Sequence, residues 1–156
     1  MGIEKTSSGT RGTNAAVIAR LLRPLQRIMM GMHRRSGNTF QGMDVLYLET
    51  IGAKSGEKRQ TPLAYFPDGD ADSAWFVAAS LGGSAANPAW YHNLVAHPDQ
   101  VRVEIDDTMY QVVPEQLSGE RREKAWQQIV ASQPRYGKYQ GKTDRIIPVI
   151  RLERVG

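Results

Sequence analysis

The sequence predicts a mostly antiparallel β-barrel with helices attached, an α+β arrangement in which strands dominate. Three observations carry that expectation. From residue 44 onward, short segments rich in branched and aromatic residues follow one another as hairpins. Turn clusters such as PDGDADS (67–73) and Asp106-Asp107 separate them. Helical spacing is confined to an N-terminal stretch and a few short pieces, so the regular strand–helix alternation of a parallel sheet is missing.

In chain order, residues 1–13 (MGIEKTSSGTRGT) are small and polar and are expected to be a disordered tail. Residues 14–35 are expected to form an amphipathic N-terminal helix. Ile18, Leu21, Leu22, Leu25, Ile28, Met29 and Met32 share one face, with Arg20, Arg23, Arg27 and Arg34 opposite. Pro24 should kink this helix or start a second one. The simpler reading is a helix docked on the domain with solvated arginines. The sharper one is a basic helix in peripheral contact with anionic lipid.

The remaining chain, 38–156, reads as one barrel domain. VLYLE (45–49), TPLAYF (61–66) and AWFVAAS (74–80) are predicted strands. VRVEI (101–105) and MYQVV (109–113) form a hairpin with the alternation of a half-buried sheet. IIPVIRLE (146–153) is the last strand, and Pro148 predicts an edge or bulge there. NPAWYHNLVAHP (87–98) reads as a helix with Asn87 as cap and Pro88 at its first position. Ser118 is the expected cap of a helix over 119–132, where Ala125, Trp126, Ile129 and Val130 repeat at helical spacing. Residues 133–145 predict a short helix followed by a loop.

The bulk numbers narrow the function class. A chain of 156 residues with 40% hydrophobic and 23% charged content is one ordinary globular domain. Zero cysteines excludes disulfides, thiolate metal sites and cysteine nucleophiles, and fits a reducing cytoplasm. The net charge of +4 is mild and its basic residues are interspersed with acidic ones, unlike the concentrated face of a nucleic-acid binder. No apolar run approaches a membrane span and no signal peptide is evident.

Two stretches could carry chemistry. TIGAKSGEKRQTPL (50–63) places Lys54, Lys58 and Arg59 in a glycine-punctuated turn. It is not a phosphate loop of the Walker kind, because Lys54-Ser55 precedes Gly56 rather than following it. Backbone N–H groups near Gly52 and Gly56, the Ser55 hydroxyl, Lys54 and Arg59 could still form a charge-assisted anion site. The competing reading is a solvated hairpin loop. AASLGGSAANPAWYHNL (78–94) runs from a strand through Ser80-Leu81-Gly82-Gly83 to a helix start, which lets another molecule approach the backbone. Trp90 and Tyr91 offer flat surfaces there, unless they are core residues. His33, His92 and His97 are scattered without acidic partners, so zinc is not indicated. No Gly-x-Ser-x-Gly element is present. Asp68, Asp70 and Asp72 read as a solvated turn, and no glutamate completes a calcium loop. Anion and ring contacts without acid–base machinery fit a protein that holds a cofactor bringing its own chemistry.

TIGAKSGEKRQTPLAYF, VAASLGGSAANPAWYHNL and YGKYQGKTDRIIPVI, in this order, resemble the deazaflavin-dependent nitroreductase family of actinobacteria over about residues 38–153. The resemblance implies a split β-barrel like that of flavin-mononucleotide oxidoreductases. It implies reduced coenzyme F420, an 8-hydroxy-5-deazaflavin with a phosphate and an oligoglutamate tail, as hydride donor. Quinones, nitro compounds or other electrophiles would be the small-molecule acceptors. Lys54, Ser55 and Arg59 would meet the phosphate and tail, and Gln60, Thr61, Pro62, Leu63 and Ala64 would run beside the ring system. Ala78, Ala79, Ser80 and Leu81, with Ala89, Trp90, Tyr91, His92 and Asn93, would complete the pocket. Tyr136 and Tyr139, with Ser80, would stand at the reacting end. Ala53 stands where an arginine is common, Leu81 where a lysine is common, and Gln133 where some members have a third tyrosine. These departures imply weaker tail binding, or compensation by Lys58, and argue against nitroimidazole activation. Two other readings remain: a flavin mononucleotide (FMN) reductase on the same barrel, and a non-catalytic carrier of deazaflavin or a lipophilic ligand.

Overall fold

In a computed structural model of the chain, the described residues are 2–14, 39–40, 42–69 and 73–155. The N-terminal helix expected over 14–35 and its arginine stripe, and Asp70 and Asp72 of the turn, lie outside the described residues, Asn14 excepted.

The strands are β1 (Thr39–Phe40), β2 (Met43–Ile51), β3 (Lys58–Ala64), β4 (Phe66–Pro67), β5 (Ala74–Ala78), β6 (Arg102–Ile105), β7 (Thr108–Gln116) and β8 (Val149–Arg154). All pair antiparallel, and the main path runs β3–β2–β6–β7–β8–β5–β4, with β1 pairing the start of β2. The two ends of that path, β3 and β4, are consecutive in the chain and separated by Tyr65 alone. A flat sheet cannot place its opposite edges one residue apart, so the sheet must curl into a barrel. Individual strands change partner to make the curl. Thr108–Gln111 of β7 pairs with β6, while Val112–Gln116 pairs with β8.

Side-chain alternation splits the core in two. Trp75, Val77, Ile150 and Leu152 point into the barrel with Leu46, Leu48, Val101, Val103 and Val112. Their neighbours Phe76 and Val149 point to the other face, against Leu117, Ala125, Ile129 and Tyr136. Strands buried on both faces read as nearly unbroken apolar runs, which is why AWFVA and VI look alike in sequence. The helices are α1 (Ala89–Ala96), α2 (Gly119–Ser132) and α3 (Arg135–Lys142). Helix α1 contributes Trp90, Tyr91 and Leu94 to the barrel interior, and α2 and α3 cover the outer cluster.

Several local expectations are corrected. β8 lies between β5 and β7, not at an edge, and begins just after Pro148, whose carbonyl accepts a bond from the Ala79 N–H at 2.9 Å. A proline at a strand's threshold withdraws no ladder donor from either neighbour. Asn87 does not cap α1. Its side chain donates to the Thr6 carbonyl at 2.9 Å and accepts from Arg145 at 3.0 Å. Ser118 does precede α2, but its hydroxyl makes no capping bond. The Asp106-Asp107 turn has both residues left-handed, φ 49° and 64°, as a two-residue hairpin requires.

Residues 2–14 depart furthest from expectation. Instead of a disordered tail they form a strap across the barrel. The Gly9 N–H donates to the Ala85 carbonyl at 2.8 Å, and Thr13 N–H to the Gly83 carbonyl at 3.1 Å. The glycines that read as linker composition are contact residues. A Cβ on Gly12 would lie 2.1 Å from the Ala85 nitrogen, and one on Gly9 would lie 2.4 Å from the Asp144 carboxylate. Asp144 clamps the strap by accepting from the Thr10 hydroxyl and from the Thr10 and Arg11 amides at 2.7 and 2.8 Å.

The Thr10 hydroxyl, and then the Arg11 amide, hold the Asp144 carboxyl down at about 2 from its ordinary 3.8. A depressed carboxyl pKa favours the clamped state above the ordinary value and loses that favour as pH falls through the lowered one. The Thr10 and Arg11 amide resonances are therefore expected to titrate as pH falls from about 4 to about 2. In Asp144→Asn these two amides should exchange faster at pH 6 while β5 and β8 are unchanged. Unaltered exchange at Thr10 and Arg11 would show the strap to be held elsewhere.

Candidate functional site

The loop between β2 and β3 is a rigid platform. Its neck is closed by the Gly52 N–H donating to the Glu57 carbonyl at 2.8 Å and the Gly56 N–H donating to the Gly52 carbonyl at 2.9 Å. Gly56 has φ 70°, which the tight return requires. The Ser55 hydroxyl accepts from the Glu57 N–H at 3.2 Å. Asn93 of α1 braces the loop from below: its side-chain oxygen accepts from Ala53 N–H at 2.9 Å and its amide donates to the Thr50 hydroxyl at 3.3 Å. Lys54 and Lys58 project into solvent. Arg59 faces Glu57 at 3.2 Å.

β3 leads away from this platform. It pairs only with β2, so its other edge is open among the described residues. Pro62, lacking an N–H, is tolerated for that reason. Gln60, Thr61, Leu63 and Ala64 are half-buried along it. Ala64 packs against the outer cluster, to which Ala78 of β5 and Tyr136 and Tyr139 of α3 also belong. The Tyr136 ring packs edge-on to Phe66 at 5.7 Å and to Tyr139 at 5.5 Å. Burial, reinforced by Tyr139, pushes the Tyr136 phenol up to about 12, so it is a protonated donor across the physiological range. From Arg59 to Ala64 the strand advances five residues at about 3.3 Å each, roughly 16 Å between its cationic end and the end at the outer cluster.

Beyond β5, Ser80 and Leu81 are half-buried at a 3-10 turn over Leu81–Gly83. Leu81, Gly82 and Gly83 all have positive φ, at 43°, 61° and 82°. For leucine that conformation is strained and must be held by its surroundings. Two contacts hold it. A Cβ on Gly83 would lie 2.6 Å from the Tyr139 carbonyl, so the turn is seated directly on α3. Arg145, 3% exposed, donates to the carbonyls of Ser80 at 2.7 Å and Ser84 at 2.8 Å and to the Asn87 side chain at 3.0 Å.

The residues expected from sequence therefore divide. Lys54, Ser55 and Arg59 gather at one end of β3, and Ala64, Ala78, Tyr136 and Tyr139 at the other. Ala89 is exposed and His92 half-buried on α1. Ala79, Trp90 and Tyr91, at 0%, 5% and 0% exposure, are packed in the core. The Tyr91 hydroxyl is already committed, 2.7 Å from the Gln116 side-chain oxygen and accepting from the Thr6 N–H at 2.8 Å. Asn93 is a brace for the loop rather than an open donor. Sequence reasoning missed Arg145. Its one signal was a lone arginine directly ahead of an apolar strand, a place where a buried charge needs dedicated acceptors.

Comparison with known proteins follows the same geometry. Residues 21–154 match the family model described as F420H(2)-dependent quinone reductase. An F420H(2)-dependent quinone reductase of Mycobacterium tuberculosis is 38% identical over 138 residues, covering 86% of this chain and 90% of that protein. The solved F420-H2 dependent reductase FDR-A is 38% identical with a TM-score of 0.62, covering 70% of this chain and 93% of that one. A chain solved as a domain-swapped dimer is 34% identical with the same TM-score, covering 83% and 99%.

Proposed function

We propose, for a chain that belongs to the F420H(2)-dependent quinone reductase family, that the open edge of β3 is the cofactor-binding track of this oxidoreductase. Reduced F420 is its hydride donor and a quinone its acceptor, with nitro compounds as a second acceptor class. The carrying observation is the spacing of unlike ends along one strand. Cations and glycine amides stand at Lys54–Arg59, aromatic rings at Tyr136 and Tyr139, and half-buried backbone between them. The donor set fits the group: a phosphate and carboxylates call for the loop, and a flat apolar ring calls for the strand and tyrosines.

When bound, the cofactor supplies the hydride that reduces the acceptor. The chain's own residues supply placement and electrostatics. Lys54, Ser55 and Arg59 would neutralise the anionic end, and Asn93 fixes the loop that carries them. Gln60 to Ala64 would line the ring, and Ala78, Ser80 and Leu81 would close the pocket beyond Ala64. The Tyr136 phenol donates to the acceptor oxygen as negative charge develops there, and Tyr139 shields the site from water.

Lys54→Ala should weaken F420 binding about tenfold, the effect of losing one charge-assisted contact. Arg59→Ala should cost less, because Glu57 already faces that guanidinium in solvent. Both losses should shrink as salt rises. Titration with F420 and with FMN tests the reading itself: F420 should bind and FMN should not. Affinity unchanged in both variants would return the loop to a solvated hairpin.

No helix among the described residues is long and apolar enough to cross a membrane. Placement in the cytoplasm, and peripheral lipid contact through residues 14–35, are proposals. Vesicle co-sedimentation of full-length and helix-deleted protein checks the second.

A further inference from the structure

Beside the β2–β3 loop lies a groove of ≈ 420 Å³ lined by Lys5, Ala53, Lys54, His92, Val95 and Ala96. It adjoins the loop on the α1 side and shares Lys54 with it. Its lining carries two lysines and no carboxylate, so the groove is positively charged. Ala53, small and exposed, contributes no bulk to the groove wall.

Lys5 reaches this groove from the strap, and its backbone position is fixed from both sides by a core residue. The Tyr91 hydroxyl lies 3.3 Å from the Glu4 carbonyl and accepts the Thr6 N–H at 2.8 Å. Thr6 is further held by Gln116, which donates to its hydroxyl at 2.7 Å, and by Asn87, which donates to its carbonyl at 2.9 Å. Ile3 packs on the barrel core just ahead. The backbone entropy of presenting Lys5 is therefore already spent in the fold. Its charge is felt inside the groove. His92 is pushed below its ordinary value first by burial and then by Lys5, against a hydrogen bond to the Asn87 carbonyl that raises it.

The geometry points to Lys5 as a strap-borne half of the anion site, gripping with Lys54 the carboxylates of the cofactor's oligoglutamate tail. This rests on the deazaflavin reading above and adds to it a second contact zone. A phosphate held at Lys54, Ser55 and Arg59 leaves Lys5 without a role, whereas a chain of carboxylates leaving that phosphate toward α1 meets it in the groove. The strap thereby becomes part of the binding site, and affinity becomes dependent on tail length.

The test is fluorescence titration of wild type, Lys5→Glu, Lys5→Met and Lys5→Arg with three probes. These are F420 with several glutamates, F420 with one glutamate, and the deazaflavin fragment ending at its ribityl hydroxyl. Exchange of the Thr6 amide is measured in parallel to report whether the strap stays seated. Lys5→Glu should weaken the long-tailed form about tenfold and Lys5→Met several-fold. The one-glutamate form should lose less and the fragment nothing. Lys5→Arg should behave as wild type, and Thr6 protection should persist in all four proteins. Lys5→Glu affinities unchanged from wild type for every probe would overturn the inference. So would a loss equal for all probes and accompanied by Thr6 deprotection, which would make Lys5 structural. A wild type that binds no probe would overturn the cofactor reading and this inference together.

Discussion

Replacing Arg145 by methionine is expected to lower stability by about 3–5 kcal/mol, the range for deleting one side of a buried charged network. The side chain is 3% exposed and its bonds go to two carbonyls and an amide oxygen rather than to a carboxylate. Removing it strands the Ser80 and Ser84 carbonyls and the Asn87 side chain with no donor of equal reach. Methionine fills much of the volume, so the loss reports on hydrogen bonding more than on cavity formation. Burial depresses the arginine's pKa, but from so high a value that it stays charged at any ordinary pH. Lysine should rescue poorly, since an ammonium cannot address three acceptors in the plane of a guanidinium fork. The effect should reach function as well, because the bonded carbonyls bracket the strained Leu81–Gly83 turn. Thermal unfolding of Arg145→Met and Arg145→Lys measures it. A midpoint within about 2 °C of wild type would mean that water replaces the guanidinium without cost.

Tyr136→Phe should cut turnover with a quinone about tenfold or more while barely moving cofactor affinity or stability. The ring is 7% exposed and wedged between Phe66 and Tyr139, and phenylalanine preserves both contacts. Only the donor is lost. Because the phenol is pushed up to about 12, deprotonating it should not limit the wild-type rate at any pH up to about 10. Tyr136→Ala is a different experiment: it opens a cavity in the outer cluster and should cost about 3–4 kcal/mol of stability. Tyr139→Phe should be nearly silent, since Tyr139 is assigned to shielding. A fully active Tyr136→Phe enzyme, assayed with a quinone and with an unrelated acceptor, would reduce Tyr136 to packing.

Strand positions were legible because half-buried and doubly buried sheet residues announce themselves by alternation or by unbroken apolar runs. VLYLE, AWFVA and the Asp106-Asp107 hairpin are of that kind. The cationic loop was legible too, since three cations among glycines are visible without a fold. What composition cannot convey is tertiary contact. The strap's Gly9 and Gly12 have the letters of a flexible linker, and only the nearness of Asp144 and Ala85 reveals why no side chain fits. Trp90, Tyr91 and Asn93 lie on one short helix. Whether such residues face a ligand or the barrel depends on how α1 docks, which helical periodicity over eight residues does not settle. Pro148 misled for a related reason: a proline beside a strand marks its threshold as readily as its edge.

Quinone-dependent oxidation of F420H2 requires the anion loop, the β3 track and the tyrosine end to act on one bound molecule, so it is the decisive measurement. Loss of the reduced cofactor should saturate in both F420H2 and quinone, scale with protein concentration, and slow about tenfold in Tyr136→Phe. Cofactor that binds yet is never oxidised across a panel of quinones and nitro compounds would contradict the oxidoreductase reading, and would leave the barrel as a carrier.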